Sequence, residues 1–345
     1  TERNRLGIGV GVDYSLYAKD SSRNRWGLNP DSELAYDFSI GDVDVTLYER
    51  FDYSRDVESE EALRGGTAEF SRFQNTVGTF VTWRPGKWIY SLGYSHFNYL
   101  STGETTSDQD RAAEQFIGRV GYQIQPRTVA GVEATGSLID YTQTTRESTS
   151  YSLGPYLNWQ VSEFFSASVR GGYVHYFTEE TITVVVLDTN NVPIGTIRTT
   201  PNNSIGSYYV GLDLSHRLTE FISHGLTANR GIRSGVNDGG DFVVNTRIGY
   251  RIGWQFTDHL NASLRLSYDL TREPSTVANT ATPDPADTLV QEVERGRFRV
   301  GFGLGWQATR RWNAGIRYEF TTRDSTEVDD DYTQNRLTIN LRYRF

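Results

Sequence analysis

Polar and apolar residues alternate without a break over 336–345. Leu337, Ile339, Leu341, Tyr343 and Phe345 therefore share one face of a strand, and Arg336, Thr338, Asn340, Arg342 and Arg344 share the other. The same period of two recurs along the chain. It predicts strands over 6–17, 33–40, 43–53, 70–83, 88–99, 115–125, 129–141 and 151–161. A second set follows over 165–177, 207–218, 222–232, 242–256, 260–270, 297–306, 312–320 and 336–345, about sixteen in all. An alternating run of about ten residues is the length with which a tilted strand crosses a bilayer. No run approaches the roughly 18 consecutive apolar residues of a membrane helix.

Connections alternate in length. Tight turns are expected at Gly41-Asp42, Pro85-Gly86-Lys87, Pro126-Arg127, Ser162-Glu163, Thr219-Glu220, Thr257-Asp258 and Thr309-Arg310. Long polar loops separate them, at 56–69, 102–112, 179–205 and 272–294. Short turns at one end and long loops at the other are the plan of an outer-membrane barrel, whose short turns are periplasmic. The fold expected is all-β: one closed antiparallel transmembrane β-barrel of about sixteen strands over residues 1–345, with both termini on the short-turn side. A soluble sandwich or propeller would hide its apolar stripes between sheets. Within 179–205, the runs 181–187 and 194–198 around Asn190-Asn191 predict a hairpin, either protruding or folded inward as a constriction. Residues 272–289, with Pro274, Pro283 and Pro285, read as a flexible external loop.

Composition changes the picture in three places. Hydrophobic content of 37% and a mean hydropathy of -0.52 exclude a helical membrane protein and suit a barrel with one wet face. Cys 0 removes disulfides and thiol chemistry, and Met 0 with a chain opening at Thr1 suggests a removed N-terminal signal. A net charge of -9 argues against general nucleic-acid binding.

With the apolar stripe taken as lipid-facing, parity assigns the lumen. Arg247, Arg251, Arg265, Arg297, Arg299, Arg317 and Arg342 form a basic arc in the C-terminal third of the wall. Asp13, Asp37, Asp44, Glu133, Asp213 and Asp269 supply the carboxylates expected to face it. Such an arrangement sets a transverse field that selects solutes by charge. Guanidinium forks would also pair with carboxylate or sulfate groups on sugars. The competing reading is that each arginine pairs with a nearby acid and stiffens the wall. Tyr17, Tyr48, Phe80, Tyr156, Tyr176 and Tyr209 also point inward, as a stacking path for sugars or as packing. Acidic runs at Asp56, Glu58, Glu60, Glu61 and at Glu327, Asp329, Asp330, Asp331 read as solvated loops bridged to lipopolysaccharide by divalent cations.

Catalysis is not expected. The five histidines are His96, His175, His216, His224 and His259; His216 and His224 flank one turn and should meet across strands on the lipid side. His175 shares the outward face of Phe165, Val169, Tyr173 and Phe177. No nucleophile elbow, zinc motif, phosphate loop or dinucleotide fingerprint is present, so neither a metal nor a cofactor is expected.

Three stretches carry a family resemblance: 126–134 with Asp140-Tyr141, 260–268, and 311–320 leading into the final strand. They resemble the β-barrel porin family associated with exopolysaccharide-export gene clusters. The resemblance implies an outer-membrane channel passing a secreted polymer, with periplasmic export components as partners. The terminal strand, through Tyr343 and Phe345, resembles the signal read by the barrel-assembly machinery. A general small-solute porin and a structural or adhesion barrel bound to lipopolysaccharide remain alternatives. Outward Gly118, Gly136 and Gly171 leave a homo-oligomeric contact open.

Overall fold

The computed structural model describes residues 4–15, 24–54, 72–101, 110–180, 182–187, 193–199, 202–234, 242–277, 289–309, 311–326 and 331–343. Its strands are β1 (Asn4–Gly9), β2 (Val12–Ser15), β3 (Arg25–Ile40), β4 (Val43–Ser54), β5 (Arg72–Trp83), β6 (Trp88–Ser101) and β7 (Arg111–Gln125). Next come β8 (Thr128–Tyr141), β9 (Arg146–Gln160), β10 (Phe165–Glu180), β11 (Ile182–Leu187), β12 (Pro193–Thr199) and β13 (Asn202–Arg217). The last are β14 (Ile222–Ser234), β15 (Phe242–Gln255), β16 (Leu260–Val277), β17 (Leu289–Gln307), β18 (Trp312–Ser325) and β19 (Tyr332–Tyr343). Each predicted segment has a strand among the described residues, with 6–17 divided between β1 and β2; residues 16–17, 70–71 and 344–345 of these predictions lie outside the described residues.

The short turns rest on local chemistry. Gly41 and Gly86 adopt φ of 59° and 63°, which a side chain would resist. Four other hairpins share one device, in which a Ser or Thr oxygen accepts the N–H groups two and three residues ahead. Ser162 serves Phe164 and Phe165, Thr219 serves Phe221 and Ile222, Thr257 serves His259 and Leu260, and Thr309 serves Arg311 and Trp312, all at 3.0–3.2 Å.

Each strand from β3 onward pairs antiparallel with its neighbours in sequence, and β10 pairs with β13 across the excursion of β11 and β12, which pair with each other. The main sheet holds 17 strands, but β1 and β2 lie end to end along β3, so the wall is sixteen strands wide. The predicted strand 6–17 is thus broken at Val10-Gly11, where the Gly11 N–H turns to Ser32 Oγ at 3.0 Å instead of a ladder carbonyl. Beside it the register of β3 on β4 shifts between Leu28 and Ser32. Closure was the expectation. Among the described residues, however, no ladder joins β19 to β1 or β2, so the backbone shows a continuous antiparallel wall with two edges.

Strands also run further toward the long loops than the apolar stripe predicts. β3 begins at Arg25 rather than 33, and β16 and β17 stay paired out to Val277 and Leu289. The flexible loop expected over 272–289 is therefore shorter, because backbone pairing continues where the outward face turns polar. Arg272 on Glu294 at 3.1 Å illustrates this outward polar zone.

Burial is inverted relative to a soluble protein. The outward stripe is open, with Leu6 63% and Ile339 76% exposed, while the buried set is rich in charge: Asp269, Glu273, Arg295, Arg297 and Arg323. Outward aromatics bracket the stripe. Trp83, Tyr90 and Trp88 stack in series at the turn end with Tyr122 edge-on to Trp88, and Tyr151, Tyr173, His175 and Phe177 cluster toward the loop end. His216 and His224 are register partners on this outer face, Nδ1 to Nε2 at 3.0 Å, as expected.

Candidate functional site: the inner wall

The inner face divides into a filled zone and an open zone. Toward the loop end, Tyr99, Tyr141, Tyr176, Arg146 and Thr178 are buried, and Arg295 Nη1 donates to Glu273 Oε2 at 2.8 Å with both side chains nearly inaccessible. Toward the turn end, inward Asn158, Arg217, Arg251, Asn261, Arg265, Arg317 and Asn340 are exposed. Parity reads Tyr176 as inward, and Tyr99 and Tyr141 end predicted strands, but Arg146, Glu273 and Arg295 of the filled zone lie beyond the predicted strands, so the zone itself was not expected.

The basic arc is split in the same way. Arg247 on β15 and Arg297 and Arg299 on β17 converge on Asp269 of β16 between them. Arg247 donates to Asp269 Oδ1, Arg299 Nη2 to Oδ2 at 2.8 Å, and Arg297 Nη2 lies 3.7 Å from Oδ2. Asp269 does not face the arc; it sits inside it and neutralises this part. Among the described residues, Arg251, Arg265 and Arg317 have no carboxylate within ion-pair distance, and Glu319 is the nearest acid to Arg265. The side chain of Arg342 lies outside the described residues, although its backbone pairs with Asn313.

The other acids are scattered along the wall. On β8, Glu133 accepts Arg119 Nε at 3.0 Å and Tyr209 Oη at 3.3 Å. Asp37 accepts Thr46 Oγ1 at 2.7 Å beside a cleft of about 600 Å³ that also touches Arg5 and Arg50. Asp44 accepts Ser39 Oγ at 2.6 Å and pairs with Arg84 at the turn end. Asp213 is exposed on β13. The side chains of Asp13 and Tyr343 and the whole of Tyr17 and Phe345 lie outside the described residues. So do the acidic runs, except Asp331, which accepts the Ser325 N–H at 2.7 Å.

Three of the described inward aromatics pack over glycines. Tyr48 lies over Gly78, Phe80 over Gly93, and Tyr156 over Gly121 and Gly131. Tyr209 reaches Glu133 along a register row that crosses Gly172 and Gly154, where two backbones approach too closely for any side chain. Glycine on one strand thus makes the slot for a ring from the next. Outward Gly118 has open space above it, in a groove of about 490 Å³ walled by Trp83, Tyr90 and Leu92. Among the described residues no group of three His, Cys, Asp or Glu residues has metal-ligand geometry.

No family model matches the chain, and no curated protein matches it, so the resemblance to export-associated porins has no sequence match behind it. Solved structures match in fold. The alcaligin outer membrane receptor FauA from Bordetella pertussis gives a TM-score of 0.54 at 12% identity, over 93% of this chain and 57% of that one. The copper transporter OprC gives 0.49 at 10%, over 98% and 65%. The ferric yersiniabactin uptake receptor FyuA from Yersinia pestis gives 0.47 at 12%, over 93% and 56%. The chain thus spans less than two thirds of the length of each. The likeness to FauA is one of fold: both chains build an antiparallel β wall.

Proposed function

We propose that the wall closes into a sixteen-strand barrel in the bacterial outer membrane and conducts hydrophilic solutes through a gated lumen. The observation that carries this reading is the inverted burial: an exposed apolar stripe outside and charged groups buried inside. Only a lipid exterior makes that distribution favourable, because burying paired charge while exposing leucine and isoleucine reverses the order of a water-soluble protein. Sixteen strands leave an interior wide enough for a water-filled channel.

The packed loop-end zone favours a gated channel over a general diffusion porin. An open porin would leave Tyr99, Tyr176 and Arg295 wet, and they are buried. Passage of an exported polysaccharide remains the finer reading from sequence resemblance, and it requires this packed zone to move. Reconstitution in planar bilayers tests the proposal. Wild-type protein should insert and pass little steady current, and Glu273→Gln, which breaks the buried pair with Arg295, should raise the open probability. Failure of both proteins to pass current would remove the channel reading, and a large steady wild-type current would remove the gate.

A further inference from the structure

Arg251 and Arg265 are direct cross-strand partners on the inner face. Like charges in that relation stand about 4.5–5.5 Å apart at Cβ and destabilise a sheet. Four residues nearer the loop end, the wall answers its arginines with Asp269. Here the nearest acid is Glu319, whose carboxylate leans over Gly301 beside Arg265, and among the described residues it makes no ion pair with these arginines. Arg317 adds a third guanidinium, set across β17 from Arg265, since Arg265 pairs with Gly301 and Gly303 pairs with Arg317. Arg265 lies within electrostatic reach of both Arg251 and Arg317, and Glu319 is the one acid in the group. All three arginines are exposed to the open part of the lumen.

The backbone leaves room for a ligand. β17 presents Gly301, Gly303 and Gly305 inward, so it adds no side chain of its own to a shallow trough between Arg265 and Arg317, which Glu319 Oε2 overhangs at Gly301. Ser263 Oγ and Asn261 lean over Gly303 and Gly305, adding polar atoms to its floor. Arg251 lies against Gly225 on the other side. A fork of planar N–H donors around a shallow, wet trough is suited to an oxyanion, which each guanidinium can engage with two hydrogen bonds.

We propose that Arg251, Arg265 and Arg317 form an oxyanion-binding subsite on the inner wall, recognising a phosphate, sulfate or carboxylate group. As a step in transport the subsite rests on the channel reading; as a binding site it does not. It lies at the border between the open and the filled zones, where an anion in the open zone meets three arginines that, among the described residues, have no ion-pair partner. The bound anion relieves the repulsion that the wall itself leaves in place.

The test is titration calorimetry on the full chain folded in detergent, with inorganic phosphate, inorganic sulfate and acetate as separate probes against chloride at equal ionic strength. Wild-type protein should bind at least one oxyanion saturably, and the probe that binds identifies the group. Arg251→Gln with Arg265→Gln, and Arg317→Gln alone, should weaken binding about tenfold or more, the size of one charge-assisted hydrogen bond. Arg217→Gln, which removes an exposed inward charge elsewhere, should leave it unchanged. Arg265→Gln removes a like-charge contact, so it should fold at least as well as wild type. Absence of saturable binding by all three probes, or equal binding by the double variant, overturns the subsite. Saturable binding without bilayer current would instead overturn only the channel reading.

Discussion

Replacing Asp269 with Asn keeps its shape and removes the charge on which three arginines converge. The carboxylate is 3% exposed on its side chain, against 32% for Arg247, 25% for Arg299 and 7% for Arg297. At an effective dielectric of about 20, the Arg299 contact at 2.8 Å alone amounts to about 6 kcal/mol before desolvation. Desolvation of both partners offsets much of that. The measurable quantity is the cost of stranding the cations, about 3–5 kcal/mol when a buried pair loses one partner. Arg247 and Arg299 can turn toward lumen water and Arg297 cannot, so Asp269→Asn should cost about 3 kcal/mol. Arg299→Gln should cost about 1 kcal/mol, because Asp269 keeps two partners. Urea titration in detergent micelles, read by the mobility difference between folded and unfolded protein in unheated gels, gives both values. A loss below about 1 kcal/mol for Asp269→Asn would refute the claim that this acid organises the arginines.

Other substitutions separate packing from function. Gly172→Ala places a methyl against the Leu153 carbonyl and the Gly154 backbone, and should destabilise by about 1–3 kcal/mol in the same titration. Gly118→Ala meets open space on the outer face and should be silent. Tyr209→Phe removes the 3.3 Å donor to Glu133 and should cost about 1 kcal/mol, leaving Arg119 as the partner of that acid. Ile339→Arg puts a charge in the outward stripe and should lower stability in lipid by about 2–4 kcal/mol, whereas inward Asn340→Ser should change little.

Strand number, parity and turn positions were legible because each depends on nearest neighbours in the chain. Leu337, Ile339 and Leu341 declare their face by period alone, and Thr219, Thr257 and Thr309 declare their turns by a side-chain oxygen acting over three residues. The outer limits of the strands were not legible. Pairing of Arg272 with Glu294 and burial of Arg295 depend on partners some twenty residues away, and the apolar period has ended there. The inner wall was half legible. Parity put Arg247, Arg251, Arg265, Arg299 and Arg317 on one face, but which of them meet an acid is a matter of register. Only the pairing of β15, β16 and β17 places Asp269 among Arg247, Arg297 and Arg299 and leaves Arg251 opposite Arg265. The glycine slots under Tyr48, Tyr156 and Tyr209 are register effects too.

The central claim, that the outward stripe touches acyl chains while the alternate residues line water, can be read position by position. The chain has Cys 0, so single cysteines introduced along 336–341 carry nitroxide labels without background. In vesicles, labels at Leu337, Ile339 and Leu341 should collide with oxygen dissolved in the lipid, and labels at Arg336, Thr338 and Asn340 with a water-soluble nickel chelate. A nickel-chelate response that is equal at neighbouring positions, or highest at Leu337, Ile339 and Leu341, would contradict the account.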